Sequence, residues 1–161
     1  MPIFALQMKA NLVDVTELRP SHYEEHRWYL KLKCSTCGEP YPLEQYATVQ
    51  KTHTLSKGRG VCHISSKCSF CGRVNTLEIL TDSYGSYSVD KNGHFQTLVK
   101  FECRGIEPIS FDPRVGWTCV GVESGSIFAE IDLNELEWAD YDEKSCLPVE
   151  INDISFQFIR A

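Results

Sequence analysis

The 161-residue chain has room for one domain with a sizeable core or two very small ones. Hydrophobic residues make up 42% and charged residues 24%, as in ordinary soluble globular proteins, and no stretch nears the ~18 apolar residues of a membrane-spanning helix. The formal net charge of −6 disfavours nucleic acid as a general partner, because a phosphate backbone calls for a basic face.

Apolar residues alternate with period two almost throughout, and helical periodicity is nearly absent. Ile3 to Val15 reads as a long first strand, with Phe4, Leu6, Met8 and Ala10 set against Gln7, Lys9 and Asn11. Pro20 and the run Ser21 to His26 make a connecting loop. Trp28 to Lys33 is a second strand that runs into Cys34. Gln45 to Leu55 and Val61 to Lys67 frame Ser56-Lys57-Gly58-Arg59-Gly60, whose composition predicts a hairpin turn. Arg73 to Leu80 alternates as a further strand, and Asn92-Gly93 marks another turn. From Phe95 onward the chain echoes its beginning. Leu98-Val99-Lys100-Phe101 through Pro113 resembles Leu6-Gln7-Met8-Lys9 through Pro20, and a tryptophan-led strand follows each, at Trp28 and Trp117. A helical turn is expected near Asn134 to Trp138, and Val149 to Ile159 forms the closing strand. The expected fold is all-β and sandwich-like, one compact unit of two similar halves, at about residues 1–92 and 93–161.

Two turns carry the chemistry: Cys34-Ser35-Thr36-Cys37-Gly38 and Cys68-Ser69-Phe70-Cys71-Gly72. Each C-x-x-C places two sulfurs on one side of a tight loop, and the following glycine can take the positive φ that closes it. Two such turns complete the tetrahedral four-thiolate shell of a structural Zn2+ site, at about 2.3 Å per Zn–S bond. Four thiolates around one such ion would move the charge to about −8. Redox dithiols are the competing reading, but a thioredoxin-type pair opens a helix, and neither turn is followed by a helical pattern. The spacer exceeds the ordinary ribbon length, which a long returning hairpin would accommodate.

The remaining candidates are weaker. Cys103 and Cys119 lie in strand-like runs as small buried hydrophobes, and Cys62, beside His63, reads as an ordinary strand position. Cys146 has no partner spacing. His22, His26, His53, His63 and His94 do not cluster and read as solvated loop residues. Ser124 in Gly121-Val122-Glu123-Ser124-Gly125 sits one place late for a nucleophile elbow, so no catalytic residue is assigned. Trp138 to Lys144 is an acidic aromatic segment, readable as a solvated loop or a docking surface. An Arg104 pair with Glu102 or Glu107 would brace the two halves.

Blocks along nearly the whole chain resemble the eukaryotic CXXC-motif-containing zinc-binding protein family. They include Ala5 to Ala10, Leu18-Arg19-Pro20, Arg27 to Lys31, both cysteine turns, Phe101 to Pro108, Gly121 to Gly125 and Trp138 to Lys144. The resemblance implies a β-rich fold of two similar halves and one Zn2+ per chain, held by Cys34, Cys37, Cys68 and Cys71. It transfers no enzymatic activity. A protein without an evident secretory signal and with metal-binding thiols is expected in a reducing compartment, cytoplasmic with nuclear access. The expected role is a non-catalytic binding or adaptor module, monomeric, with a protein partner and no membrane. The alternative is metal handling, by zinc or copper exchange, or thiol redox.

Overall fold

The computed structural model describes residues 2–55 and 60–161, and the fold is all-β. Fourteen strands run in chain order among them: β1 Ile3–Val13, β2 Val15–Pro20, β3 Trp28–Cys34, β4 Gln45–Ala47, β5 His53–Thr54, β6 Val61–Cys62, β7 Ile64–Lys67, β8 Val74–Leu80, β9 Gln96–Arg104, β10 Ile106–Asp112, β11 Val115–Gly121, β12 Ile127–Asp132, β13 Trp138–Asp142 and β14 Leu147–Arg160. A six-stranded sheet has the order β13-β14-β1-β9-β8-β7. Two three-stranded sheets, β10-β3-β4 and β12-β11-β2, flank it, and β5 pairs with β6. All pairings are antiparallel. The apolar face expected of the first strand, Phe4, Leu6, Met8 and Ala10, fills one core with Trp28, Leu30, Leu77, Ile79, Phe101 and Trp117.

The pairings repeat about a two-fold axis. The first strand of each half meets the other in the middle of the large sheet, Phe4 opposite Phe101. The next two strands are exchanged: β2 pairs with β11, and β10 pairs with β3. The match extends to single bonds. Ser35 N–H donates to Gly105 O at 3.1 Å, and its counterpart Val122 N–H donates to Asp14 O at 3.0 Å. Asp14 and Gly105 both have positive φ, 59° and 75°, and each ends one strand so that the chain can cross to another sheet.

Several expectations change. The first strand ends at Val13 because Asp14 takes that left-handed conformation. The spacer between the cysteine turns is not one long hairpin. β4 returns beside β3, with Tyr46 opposite Tyr29, and only the short β5–β6 pair makes a hairpin. Most of its predicted turn, Ser56 to Arg59, lies outside the described residues. Asn134 to Trp138 forms no helix: Leu136 has φ 57°, and Trp138 opens β13 opposite Ile151. A single 3-10 turn, Val89–Lys91, is the helical element among the described residues. Trp117 occupies the place equivalent to Leu30, not Trp28, since Pro20 faces Trp117 where Phe111 faces Leu30. Glu107 pairs with Lys33 at 3.3 Å rather than with Arg104.

Candidate metal centre

The β3–β4 connection and the β7–β8 turn carry the two cysteine pairs. Both C-x-x-C turns have one geometry: Gly38 N–H donates to Cys34 O and Gly72 N–H to Cys68 O, each at 2.8 Å. Gly38 and Gly72 both sit at φ +78°, a conformation that a side chain would strain. The sheets bring the turns face to face. Cys34 Sγ lies 3.7 Å from Cys71 Sγ, and Cys37 Sγ lies 3.7 Å from Cys68 Sγ; all four sulfurs fall within 4.8 Å of one another. A tetrahedron of thiolates at 2.3 Å from a zinc ion has edges of about 3.8 Å. The donor set fits a single four-coordinate Zn2+, with no ligand position left for substrate.

Cys34 and Cys68 are buried, whereas Cys37 and Cys71 lie toward solvent. The backbone N–H of Cys37, followed by the Asn75 amide and the N–H of Thr36, holds the Cys34 thiol down to about 6 against desolvation. Cys68 is lowered chiefly by the N–H of Cys71, with that of Phe70 adding to it. Four adjoining thiols cannot all ionise without a cation. Although the Glu39 N–H pulls Cys37 downward, desolvation and the neighbouring sulfurs of Cys68, Cys34 and Cys71 push it up to about 12. Cys71 is likewise raised, with the Arg73 N–H opposing. A bound dication supplies the charge that lets all four ionise together.

The other cysteines stay apart. Burial pushes Cys103 and Cys119 up to about 12, as the reading of small buried hydrophobes requires. Cys62 is buried in β6 outside the sulfur cluster, and Cys146 is exposed. His63 is not solvated: it is buried and its Nδ1 accepts from Ile79 N–H at 2.8 Å. His26 is also buried, with edge contacts to Trp28 and Trp117 at ring separations of 4.6 and 5.2 Å, so it does not join His22 in a metal site.

Two features escaped the sequence reading. Asn75 is buried in β8 and donates to Cys34 Sγ at 3.4 Å and to Tyr41 Oη at 2.8 Å. Its signal was a polar residue on the inward face that Leu77 and Ile79 share. The second is the counterpart of the cysteine cluster at the other end of the two-fold. There, Gly121 N–H donates to Ser126 O at 2.8 Å and Gly125 N–H to Gly121 O at 2.9 Å, as Cys34 and Gly38 do at 2.9 and 2.8 Å. Gly121, Ser124, Asp142 and Ser145 thus stand where Cys34, Cys37, Cys68 and Cys71 stand. Asp142, in the acidic segment, is not solvated but 3% exposed. Its carboxylate accepts from Ser124 Oγ, from Ser126 Oγ at 3.0 Å and from Lys144 N–H at 3.0 Å. Ser124 first, then Ser126 and Ser145, holds it down to about 2 against desolvation.

An all-β frame that brings two C-x-x-C-Gly turns together as a four-thiol shell defines a four-cysteine type of metal-binding protein. The chain belongs to the family CXXC motif containing zinc binding protein, eukaryotic, which matches residues 5–159. The rat CXXC motif containing zinc binding protein is 46% identical over 156 residues, 97% of each chain. The crystal structure of C1orf123 superimposes with a TM-score of 0.94 at 43% identity, covering 99% of both chains. A hypothetical protein from Plasmodium falciparum shares the fold, with a TM-score of 0.88 at 22% identity over 99% of this chain and 100% of its own.

Proposed function

We propose that the protein is a non-catalytic binding or adaptor module in which Cys34, Cys37, Cys68 and Cys71 hold one structural Zn2+. The observation that carries this reading is the pair of 3.7 Å sulfur–sulfur separations, the spacing of a closed tetrahedral shell. The metal ties the β3–β4 turn to the β7–β8 turn, adding to the hydrogen bonds that Tyr41 and Asn75 make between these elements. A four-thiolate centre needs reduced cysteines, which supports a cytoplasmic location with access to the nucleus. The chain works as a monomer that engages a protein partner. Exposed Leu43 and Phe70, in the segments that carry the cysteine turns, are apolar side chains suited to such a contact. The acidic chain does not favour nucleic acid, and among the described residues no helix is long and apolar enough to cross a membrane.

Metal handling is the second reading, favoured by the outward position of Cys37 and Cys71. Native mass spectrometry during a strong-chelator titration separates the two. One zinc per chain, lost only as the protein unfolds, supports the structural role. Zinc that leaves a folded chain readily, or gives way to Cu(I), supports exchange and overturns the purely structural reading.

A further inference from the structure

Asn75 makes an unusual sacrifice. Both amide hydrogens are committed, one to Cys34 Sγ and one to Tyr41 Oη, while Oδ1 is buried with no hydrogen-bond partner. Turning the amide over would place Oδ1 against a thiolate, two acceptors facing each other. The observed orientation is therefore the one that a charged sulfur at position 34 demands. The surroundings are built for it. Oδ1 rests over Gly105, where any Cβ would overlap it, and Gly105 has φ +75° as well. Tyr41 accepts from the amide and donates to Ser66 O at 3.1 Å, which anchors the side chain to β7, the strand leading into the second cysteine turn. The amide N–H reaches Cys34 alone among the four sulfurs, and the equivalent position at the other end is Val149, whose side chain has no N–H to donate.

We infer that Asn75, held by Tyr41, is the positioning residue of the metal centre. It fixes the Cys34 thiolate and disperses its charge, so that the buried pair Cys34 and Cys68 anchors the ion and the outward pair Cys37 and Cys71 forms the edge open to competing ligands. An N–H donated to a metal-bound sulfur draws charge from it, which lowers its reactivity toward alkylating agents and protons. This inference rests on the four-cysteine zinc reading and specifies how that site is regulated.

The test compares the full-length wild type with Asn75→Leu and Tyr41→Phe, loaded with Co2+ or Zn2+. In N75L the thiolate-to-cobalt charge-transfer band should move to lower energy, because a sulfur without its hydrogen bond is easier to oxidise. Zinc release to a chromogenic chelator should quicken about ten- to a hundredfold, with one zinc per chain still bound at the start. Pulse alkylation of the zinc form should label Cys37 and Cys71 first in the wild type and lose that order in N75L. Y41F should move band and release rate in the same directions by less, and it decides the matter if N75L does not fold. A band, release rate and labelling order unchanged from wild type in the folded variants would overturn the inference. A wild-type chain that takes up neither metal overturns the zinc reading, and this inference with it; that result is read before any variant is made.

Discussion

The two ends of the molecule solve one problem with different chemistry. At one end, four sulfurs on two turns converge around a site for a dication. At the other, the counterpart turns, the first of them with the same backbone hydrogen bonds, are joined through Asp142 and the hydroxyls of Ser124 and Ser126. A Cβ placed on Gly121 would lie 2.5 Å from Ser124 Oγ and 2.6 Å from Asp142 Oδ2, so the equivalent positions converge there too. A buried carboxylate that accepts several hydrogen bonds is a cross-link that needs no cofactor. The fold therefore requires that the paired turns be tied, but not that the tie be metallic.

The largest effect expected is from breaking the metallic tie. Structural zinc supplies on the order of 10 kcal/mol or more in small zinc-finger peptides; here the shared core makes the loss smaller. Chelation, or Cys71→Ser, should accelerate hydrogen exchange over residues 34–47 and 64–75 and leave residues 121–147 protected. Equal loosening at both ends would mean the two ties are not independent.

Acid should act next, first through a group that both ends share. His26, held down to about 4 by desolvation between Trp28 and Trp117, has a folded pKa below the usual 6.5. It therefore supports the fold fully above pH 6.5, and this contribution drains away as pH falls through about 4. The shift corresponds to about 3 kcal/mol. Urea melts of wild type and His26→Phe should show the wild type losing more stability than the variant across that window.

Asp142→Ala should loosen residues 121–126 and 138–147 as chelation loosens the cysteine end, with no change in zinc content. With a folded pKa near 2 against the ordinary 3.8, the Asp142 contribution is present above about pH 4 and is lost as pH falls through about 2. The gap in melting temperature between wild type and Asp142→Asn should close over that range. Replacing one tie by the other sharpens the comparison most: Gly121→Cys, Ser124→Cys, Asp142→Cys and Ser145→Cys together should bind one further zinc per chain, counted by native mass spectrometry.

The cysteine cluster was legible because a metal site writes strict local spacing into the sequence, and C-x-x-C-Gly occurs twice. The all-β class was legible because alternation survives wherever one strand face is buried. The exchange of β2 and β10 between the sheets was not, since the residues that direct it, Asp14 and Gly105, signal only a change of direction. Asp142 was missed for a related reason. Its partners Ser124 and Ser126 are common surface types 16 to 18 residues away, and hydrogen bonds tolerate many spacings. The helix expected at Asn134 to Trp138 failed because local pattern gave no weight to Ile151, the partner that draws Trp138 into a sheet.

The pairing of β1 with β14, Phe4 opposite Arg160, sets the order in which the protein can be made. As β1 is synthesised it has neither of its neighbours: β9 begins only at Gln96, and β14 only at Leu147. An apolar strand thus waits unpaired until those distant strands emerge, and folding is dominated by long-range contacts, which close slowly. A ribosome-stalled chain ending near residue 146 should be soluble only with chaperone help, because the central strand of its large sheet would still present an open edge.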